Sequence, residues 1–265
     1  MKLGCCVNML AGTDTGVGDE NIPVFEEIGY DYIELPLAQT MALSEGAFSE
    51  IVKKAQDCGI PVESCNNFFP ASIRLTGPDA DLKKTLDYVR RATERAARLG
   101  VKIIVLGSSG AKNIPDGFPK NKAEDQLVEL LCSMQAIVAP LGITIALEPL
   151  NSAESNFIVT ASEGLAMMKR ASCENVKLLV DYYHMRMEGD SLDVISEAGS
   201  DLRHVHIASK EGRRFPREND GEDYGAFFDA LKSVGYNARI SVEGFSKDIV
   251  ADAKAALIAL RPFMG

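Results

Sequence analysis

The chain has 265 residues, of which 46% are hydrophobic and 25% charged, and its 28 basic and 38 acidic side chains give a formal net charge of −10. This composition is typical of a soluble globular protein and excludes the collagen-like, mucin-like and disordered classes. The negative charge argues against a nucleic-acid partner, because affinity for nucleic acid comes mainly from Lys and Arg side chains that neutralise phosphates. The three histidines are too few for a histidine-rich metal cluster.

No stretch reaches the roughly 18 consecutive apolar residues of a membrane span, so we expect no membrane association. The first residues, 1–6, lack the apolar region of a signal peptide and are interpreted as a buried strand. The six cysteines form no CxxC pair and no zinc-finger spacing, which indicates buried thiols in a reducing compartment. The expected location is therefore the cytoplasm.

Short apolar runs alternate with helical patterns along the whole chain. The runs predicted to be strands are 3–7, 32–35, 61–64, 102–106, 144–147, 177–180, 203–207 and 239–242. Several are almost entirely apolar, as are strands of a parallel sheet that is covered on both faces.

Helices are predicted where apolar residues recur every three to four positions, most clearly between Asp79 and Leu99. The predicted helices are 20–28, 49–58, 79–99, 122–139, 162–171, 192–198, 225–234 and 248–260. Four of them are followed by a glycine that is predicted to cap the helix before the next strand: Gly29, Gly59, Gly100 and Gly235.

Eight strand–helix units without a linker or a break in composition predict an α/β fold, a single (β/α)8 TIM barrel that spans residues 1–265 as one domain. An open, doubly wound sheet is the alternative. The barrel is favoured because no G-x-G-x-x-G turn follows the first strand.

Polar residues end several of the apolar strands, where the active sites of TIM barrels lie. These residues are Glu34, Asn66, Glu148, Asp181, His206 and Glu243. The last four come from consecutive strands about 5 Å apart, so their side chains can converge. Two Glu, one Asp and one His suit Mn²⁺ best, with Mg²⁺, Co²⁺ and Zn²⁺ as alternatives. Each acid could instead cap a helix or pair with an arginine, but four buried charges without a cation would repel each other.

The segments around these residues resemble those of the sugar phosphate isomerase/epimerase family. The matching segments are Glu148-Pro149-Leu150-Asn151, Asp181-Tyr182-Tyr183-His184-Met185, His204-Val205-His206 and Val242-Glu243-Gly244. This xylose isomerase-like TIM-barrel group includes ketose 3-epimerases, hydroxypyruvate isomerases and inosose dehydratases. Within it, the motifs are most similar to those of the D-tagatose/D-psicose 3-epimerases.

The resemblance implies a role for individual residues. Glu148, Asp181, His206 and Glu243 would be the ligands of the divalent metal, and His184, Glu154 and Arg213 would bind the substrate. Arg213 lies in Gly212-Arg213-Arg214-Phe215-Pro216, where the spacing from His206 is one residue longer than in the family. A homodimer or homotetramer is also implied by the resemblance alone.

The predicted function is epimerisation of a small sugar in carbohydrate metabolism, by proton transfer through a metal-stabilised enediolate. Glu148 and Glu243 are the candidate acid/base pair, since epimerisation needs such groups on opposite faces of the reacting carbon. Glu243 could instead serve the metal alone. If only one of the two carboxylates can transfer a proton, the same enediolate would lead to aldose–ketose or hydroxypyruvate-type isomerisation.

Other roles stay open at this point. Glu34 could hydrogen-bond a pocket residue or contact the substrate, and His204 is expected to lie behind His206. Residues 66–70 could form an apolar wall or pack as a loop, and 107–110 is predicted to be a flexible glycine-rich loop. The loop 244–246 follows the eighth strand, where many TIM barrels bind phosphate, so a phosphorylated substrate stays an alternative.

Three rival functions use the same scaffold. An endonuclease with several zinc ions would need more than the three histidines present and a basic surface for DNA, whereas this chain has a net charge of −10. A lyase that dehydrates an inosose is barely distinguishable from an epimerase at the sequence level. A non-catalytic carbohydrate-binding barrel would not need both Glu148 and Glu243.

Overall fold

Eight parallel strands close into a barrel in the computed structural model, which describes residues 1–265. The strands are β1 (Lys2–Cys6), β2 (Tyr32–Pro36), β3 (Val62–Asn66), β4 (Ile103–Leu106), β5 (Thr144–Leu147), β6 (Val176–Asp181), β7 (Leu202–Ile207) and β8 (Arg239–Val242). The barrel closes where β8 pairs with β1, with Leu3 opposite Ile240 and Cys5 opposite Val242. This confirms the (β/α)8 barrel and excludes the open sheet.

Helices connect the strands and cover the outside of the barrel. They are α1 (Ile22–Ile28), α2 (Leu37–Ala42), α3 (Glu45–Cys58), α4 (Leu82–Leu99), α5 (Ser109–Lys112), α6 (Lys120–Val138), α7 (Ala161–Ala171), α8 (Tyr182–Glu188), α9 (Asp193–Ala198), α10 (Tyr224–Ser233) and α11 (Ile249–Leu260). All eight predicted helices are present, and the four predicted cap glycines have positive φ angles between 70° and 96°. No helix combines the length and the apolar character that crossing a bilayer requires.

Three short helices were not predicted, namely α2, α5 and α8. Each follows a strand within a few residues and has seven residues or fewer, too few to show a helical period. The prediction of a loop at 107–110 is wrong for residues 109–110, because Ser109 begins α5. In α8, the side chain of Asp181 accepts a hydrogen bond from the backbone N–H of Tyr183 and caps the helix.

The buried side chains divide into two layers. A large cluster of 65 buried residues contains the apolar side chains between the sheet and the helices. A separate cluster contains Ile103, Val105, Ala146 and Leu179, which alternate with residues of the large cluster along β4, β5 and β6. They therefore line the barrel interior. Two residues beyond Ala146 and Leu179 the same face carries carboxylates, which places the polar groups at the carboxyl ends of the strands.

Candidate functional site

Four side chains meet at the carboxyl end of the barrel: Glu148, Asp181, His206 and Glu243. They come from the ends of β5, β6, β7 and β8, and all four are buried. Their ligand atoms lie within 4.8 Å of one another. The residues predicted from the strand ends are therefore brought together, because the pleat turns each of them toward the barrel axis.

His206 lies at the centre of this group. Its Nδ1 is 3.0 Å from Glu148 Oε1 and 3.2 Å from Glu243 Oε2. Its Nε2 is 3.0 Å from Glu34 Oε1. A carboxylate behind the far nitrogen orients the ring and leaves Nδ1 facing the cluster, as is usual for histidines that bind metals.

Glu34 lies beneath His206 and is fully buried. Its Oε2 lies 2.8 Å from His204 Nε2 and accepts hydrogen bonds from Ser64 Oγ at 2.7 Å and Ser241 Oγ at 2.6 Å. Burial acts to raise the pKa of Glu34, but the two histidines outweigh burial and lower it well below the usual range. Of the two predicted roles, this geometry favours the hydrogen bond over contact with substrate, since the chain itself already satisfies both carboxylate oxygens. His204 lies behind His206, as expected.

His184 borders the cluster as a neutral ring. The backbone N–H of Asn151 donates to its Nδ1 at 3.2 Å, and the side-chain amide of Asn151 lies 2.7 Å from the same atom. Nδ1 is therefore the acceptor, and Nε2 carries the proton, 3.5 Å from Asp181 Oδ2. Burial, followed by the charge of Arg213, lowers the pKa of His184 to about 3. The ring thus offers one N–H donor toward the carboxylates.

Arg213 reaches the same site from the loop after β7. Its Nη2 lies 2.5 Å from Glu243 Oε2 and 3.5 Å from Asp181 Oδ2, and its Nη1 lies 3.3 Å from Glu154 Oε1. The guanidinium also stacks on the ring of Tyr183, 4.8 Å from its centroid. The longer spacing from His206 therefore does not remove Arg213 from the site.

The backbone around Arg213 is held by the end of β8. Phe245 donates its N–H to the carbonyl oxygen of Arg213 at 2.7 Å. A Cβ atom on Gly244 would lie 3.0 Å from that oxygen and 2.9 Å from the carbonyl carbon of Arg214, so glycine is needed for this approach. The glycine after Glu243 thereby helps to position the arginine.

Asn66 contacts the site in a way that was not predicted. Its side-chain amide donates to Glu243 Oε1 at 3.0 Å and to Asn8 Oδ1 at 2.9 Å. Its position at a strand end was the only signal in the sequence. The neighbouring Phe68 and Phe69 are buried and stack on each other with centroids 4.2 Å apart, which favours loop packing over a wall for the substrate.

Two further residues near Glu148 were also missed. Lys112 is fully buried, and its Nζ donates to the backbone carbonyl oxygen of Glu148 at 2.8 Å. Burial lowers the pKa of Lys112 to about 8, although the charge of Glu148 opposes this shift. Gly107 leaves room for the carboxylate, since a Cβ atom there would lie 2.1 Å from Glu148 Oε2. No spacing in the sequence marks either contact, because both depend on how β4 and β5 lie side by side.

The electrostatics of the cluster suit a cation. Burial raises the pKa of Asp181 to about 7 and also raises the pKa of Glu148. For Glu243, burial acts in the same direction, but the charges of His206 and Arg213 outweigh it and lower the pKa. Three carboxylates and one imidazole nitrogen within 4.8 Å form an oxygen-rich donor set, which fits a divalent cation.

A model of the xylose isomerase-like TIM barrel family matches residues 23–263. The chain belongs to this family. The L-ribulose 3-epimerase of Mesorhizobium japonicum is 37% identical over 226 residues, which cover 84% of this chain and 74% of that protein. The D-psicose 3-epimerase of Agrobacterium fabrum is 28% identical over 228 residues, 83% of this chain and 77% of that protein.

The solved structures agree with the fold. The D-psicose 3-epimerase with D-tagatose from Clostridium cellulolyticum H10 aligns with a TM-score of 0.86 at 23% identity and covers 100% of this chain and 99% of that chain. Together with the curated relatives, the family match confirms that the protein is an enzyme.

Proposed function

We propose that the protein is a divalent-metal-dependent epimerase that inverts a small ketose at C3. The observation that carries this proposal is the position of Glu148 and Glu243, whose carboxylates approach the same nitrogen of His206 from different strands at 3.0 and 3.2 Å. The curated relatives support the substrate class, because two of them are named as 3-epimerases of ketoses.

The metal would be held by Glu148, Asp181, His206 and Glu243, and Mn²⁺ is our first choice among Mn²⁺, Mg²⁺, Co²⁺ and Zn²⁺. When bound, such an ion polarises the substrate carbonyl and stabilises the negative charge that develops on the neighbouring oxygens. Glu34 would orient His206 toward it through the bond to Nε2.

Glu148 and Glu243 would exchange the proton at C3. Each has one oxygen near His206 and a second oxygen directed elsewhere: Glu148 Oε2 accepts no hydrogen bond from the chain, and Glu243 Oε1 is held by Asn66. Each second oxygen therefore keeps a lone pair for proton transfer, since the Asn66 amide occupies only one of the two on Glu243 Oε1. Because β5 and β8 lie on different sides of the barrel, a ketose between the two carboxylates would present opposite faces of C3 to them.

Three side chains would orient the substrate. His184 donates from Nε2, and Arg213 donates from its guanidinium, so both suit the oxygens next to the reacting carbon. Glu154, which accepts hydrogen bonds from Arg213 and from the side-chain amide of Asn151, would accept a hydroxyl of the sugar. The neutral state of His184 keeps this donor from adding a charge to the site.

The reaction is tested by incubating the metal-loaded protein with a panel of ketoses, hydroxypyruvate and an inosose, and by identifying the products. We expect the C3 epimer of at least one ketose. An aldose would indicate an isomerase, loss of water would indicate a lyase, and either result in place of the epimer would overturn the proposal.

Two variants link the reaction to the carboxylates. Glu148→Gln and Glu243→Gln each remove the charge and the proton acceptor at nearly constant volume, so we expect both to abolish turnover. Glu50→Gln, at an exposed position on α3, is the control and should retain it. Retained turnover in both site variants would contradict proton transfer by these carboxylates. Absence of turnover in the wild type with every compound of the panel would instead favour the non-catalytic, carbohydrate-binding interpretation.

We further propose that residues 1–265 act as one domain in the cytoplasm, without a membrane or nucleic-acid partner, and that the protein is a homodimer or homotetramer. The charge of −10 supports the absence of a nucleic-acid partner. Light scattering on the purified protein tests the oligomeric state.

A further inference from the structure

The six cysteines lie in different environments. Cys5, Cys6 and Cys65 are buried in the strands, and Cys58 is half-buried at the end of α3. Two others come together near the surface: Cys132 is exposed on α6, and Cys173 is half-buried in the turn between α7 and β6. This turn leads into the amino end of β6, so the pair lies at the opposite end of the barrel from the candidate site.

The two sulfur atoms of this pair are 3.0 Å apart. Both thiols donate to the carbonyl oxygen of Ala171, Cys132 at 3.3 Å and Cys173 at 3.2 Å, so one acceptor at the end of α7 holds them side by side. The turn is also fastened to α6, because the backbone N–H of Asn175 donates to Gln135 Oε1 at 3.3 Å. The segments that carry the two cysteines are thus already docked.

We propose that Cys132 and Cys173 form a reversible disulfide by exchange with small disulfides. A disulfide bond is about 2.05 Å long, so the sulfur atoms need to approach by roughly 1 Å. Rotation of a cysteine side chain about its Cα–Cβ bond moves its sulfur atom, and this is the movement that the proposal requires. This inference is independent of the proposed catalytic function.

The exchange proceeds in two balanced steps. The thiolate of Cys132 attacks one sulfur of the small disulfide, which breaks its S–S bond, releases one thiol and leaves a mixed disulfide on Cys132. The thiolate of Cys173 then attacks the Cys132 sulfur and releases the second thiol. The protein loses two electrons and two protons, and the small disulfide gains them as two thiols.

The surroundings assign the first step to Cys132. Cys132 is exposed, whereas burial, followed by the neighbouring Cys132, raises the pKa of Cys173 to about 12. Less of Cys173 is therefore present as the attacking thiolate. Its proximity to Cys132 compensates in the second step, which takes place within one molecule.

The test uses the full-length protein, reduced and then incubated with oxidised glutathione under native conditions. Intact mass should show the loss of two hydrogen atoms without a glutathione adduct, and peptide mapping should find one link, between Cys132 and Cys173. Return of both thiols after addition of a reductant confirms reversibility. A stable glutathione adduct on the wild type, a link between two chains or unchanged thiols would each overturn the proposal.

Three serine variants make the test specific. Cys173→Ser should retain the mixed disulfide on Cys132, because the resolving thiol is gone, and Cys132→Ser should gain no internal link. Cys58→Ser is the matched control and should form the link as the wild type does. Since the pair lies far from the candidate site, circular dichroism of each variant suffices to show that the fold is intact, and turnover is not needed as a readout.

Discussion

Gly107 lies where the carboxylate of Glu148 needs room. We expect Gly107→Ala to displace this carboxylate, because the added Cβ would lie 2.1 Å from Oε2. Misplacing a reacting group by about 1 Å can cost about 100-fold in rate, so we expect kcat/KM to fall by about 100-fold. Steady-state kinetics checks this. Gly46→Ala is the control, since a Cβ there meets only Ser44 Oγ at 4.0 Å. Wild-type kcat/KM in Gly107→Ala would contradict the role of Glu148.

Asn66 holds the oxygen of Glu243 to which we assign the proton transfer. Asn66→Ala removes the hydrogen bond to Oε1, so we expect kcat to fall by about 10–100-fold with a smaller change in KM. Asn66→Asp should be more severe, because it places a second negative charge against Glu243. Equal kcat values in Asn66→Ala and the wild type would show that the amide does not position Glu243.

At the scale of single residues, the sequence predicts those site residues that interrupt an apolar strand. Glu148, Asp181, His206 and Glu243 could be found because each is a polar residue at the end of an apolar strand. Gly107 and Lys112 could not, since their contacts with Glu148 arise between neighbouring strands. A contact across strands depends on register, and periodicity within one segment does not contain it.

At the scale of elements, the strands were predicted more closely than the short helices. β5 and β8 have the predicted bounds, and β6 extends the predicted strand by one residue at each end. β3 continues to Asn66 because that residue still pairs with Pro36 of β2, which its own polar character does not reveal. The helix α8 is not predicted because its seven residues are too few to show a helical period.

An ion-pair group joins the beginnings of three strands at the amino end of the barrel. Glu63 on β3 pairs with Lys2 on β1 and with Arg239 on β8, whose Nε lies 2.5 Å from Glu63 Oε2. Burial acts to raise the pKa of Glu63, but the two cations outweigh it and lower the pKa. The group thus links the strands that close the barrel to β3.

This group predicts a pH dependence of stability. Because the pKa of Glu63 is lower in the folded state than the value of about 4.3 in the unfolded chain, its contribution is present above pH 4.3 and is lost as the pH falls through the folded pKa. We therefore expect the difference in unfolding free energy between the wild type and Glu63→Gln to shrink as the pH falls below about 4.3. Urea unfolding at several pH values checks this, with Glu50→Gln as the control. A difference that does not change with pH would contradict it.

At the scale of the whole molecule, the barrel could be predicted from the alternation of eight strands and eight helices without a break. The sequence predicts that the sheet closes into a barrel, and the pairing of β8 with β1 confirms this closure. Closure also brings the ends of β5 to β8 around one point, so fold and site are consequences of one arrangement. In the proposed function, the four strand ends would contact only the reacting part of the substrate, so they do not predict which sugar binds.

The most direct measurement of the proposed function is proton exchange at C3. The metal-loaded protein is incubated in D₂O with a ketose that it converts, and the sugars are followed by NMR. We predict deuterium at C3 of the product, no exchange after the metal is removed by a chelator, and none with Glu148→Gln or Glu243→Gln. Deuterium confined to C1 or C2, or epimerisation that leaves the original hydrogen at C3, would contradict proton transfer by these two carboxylates.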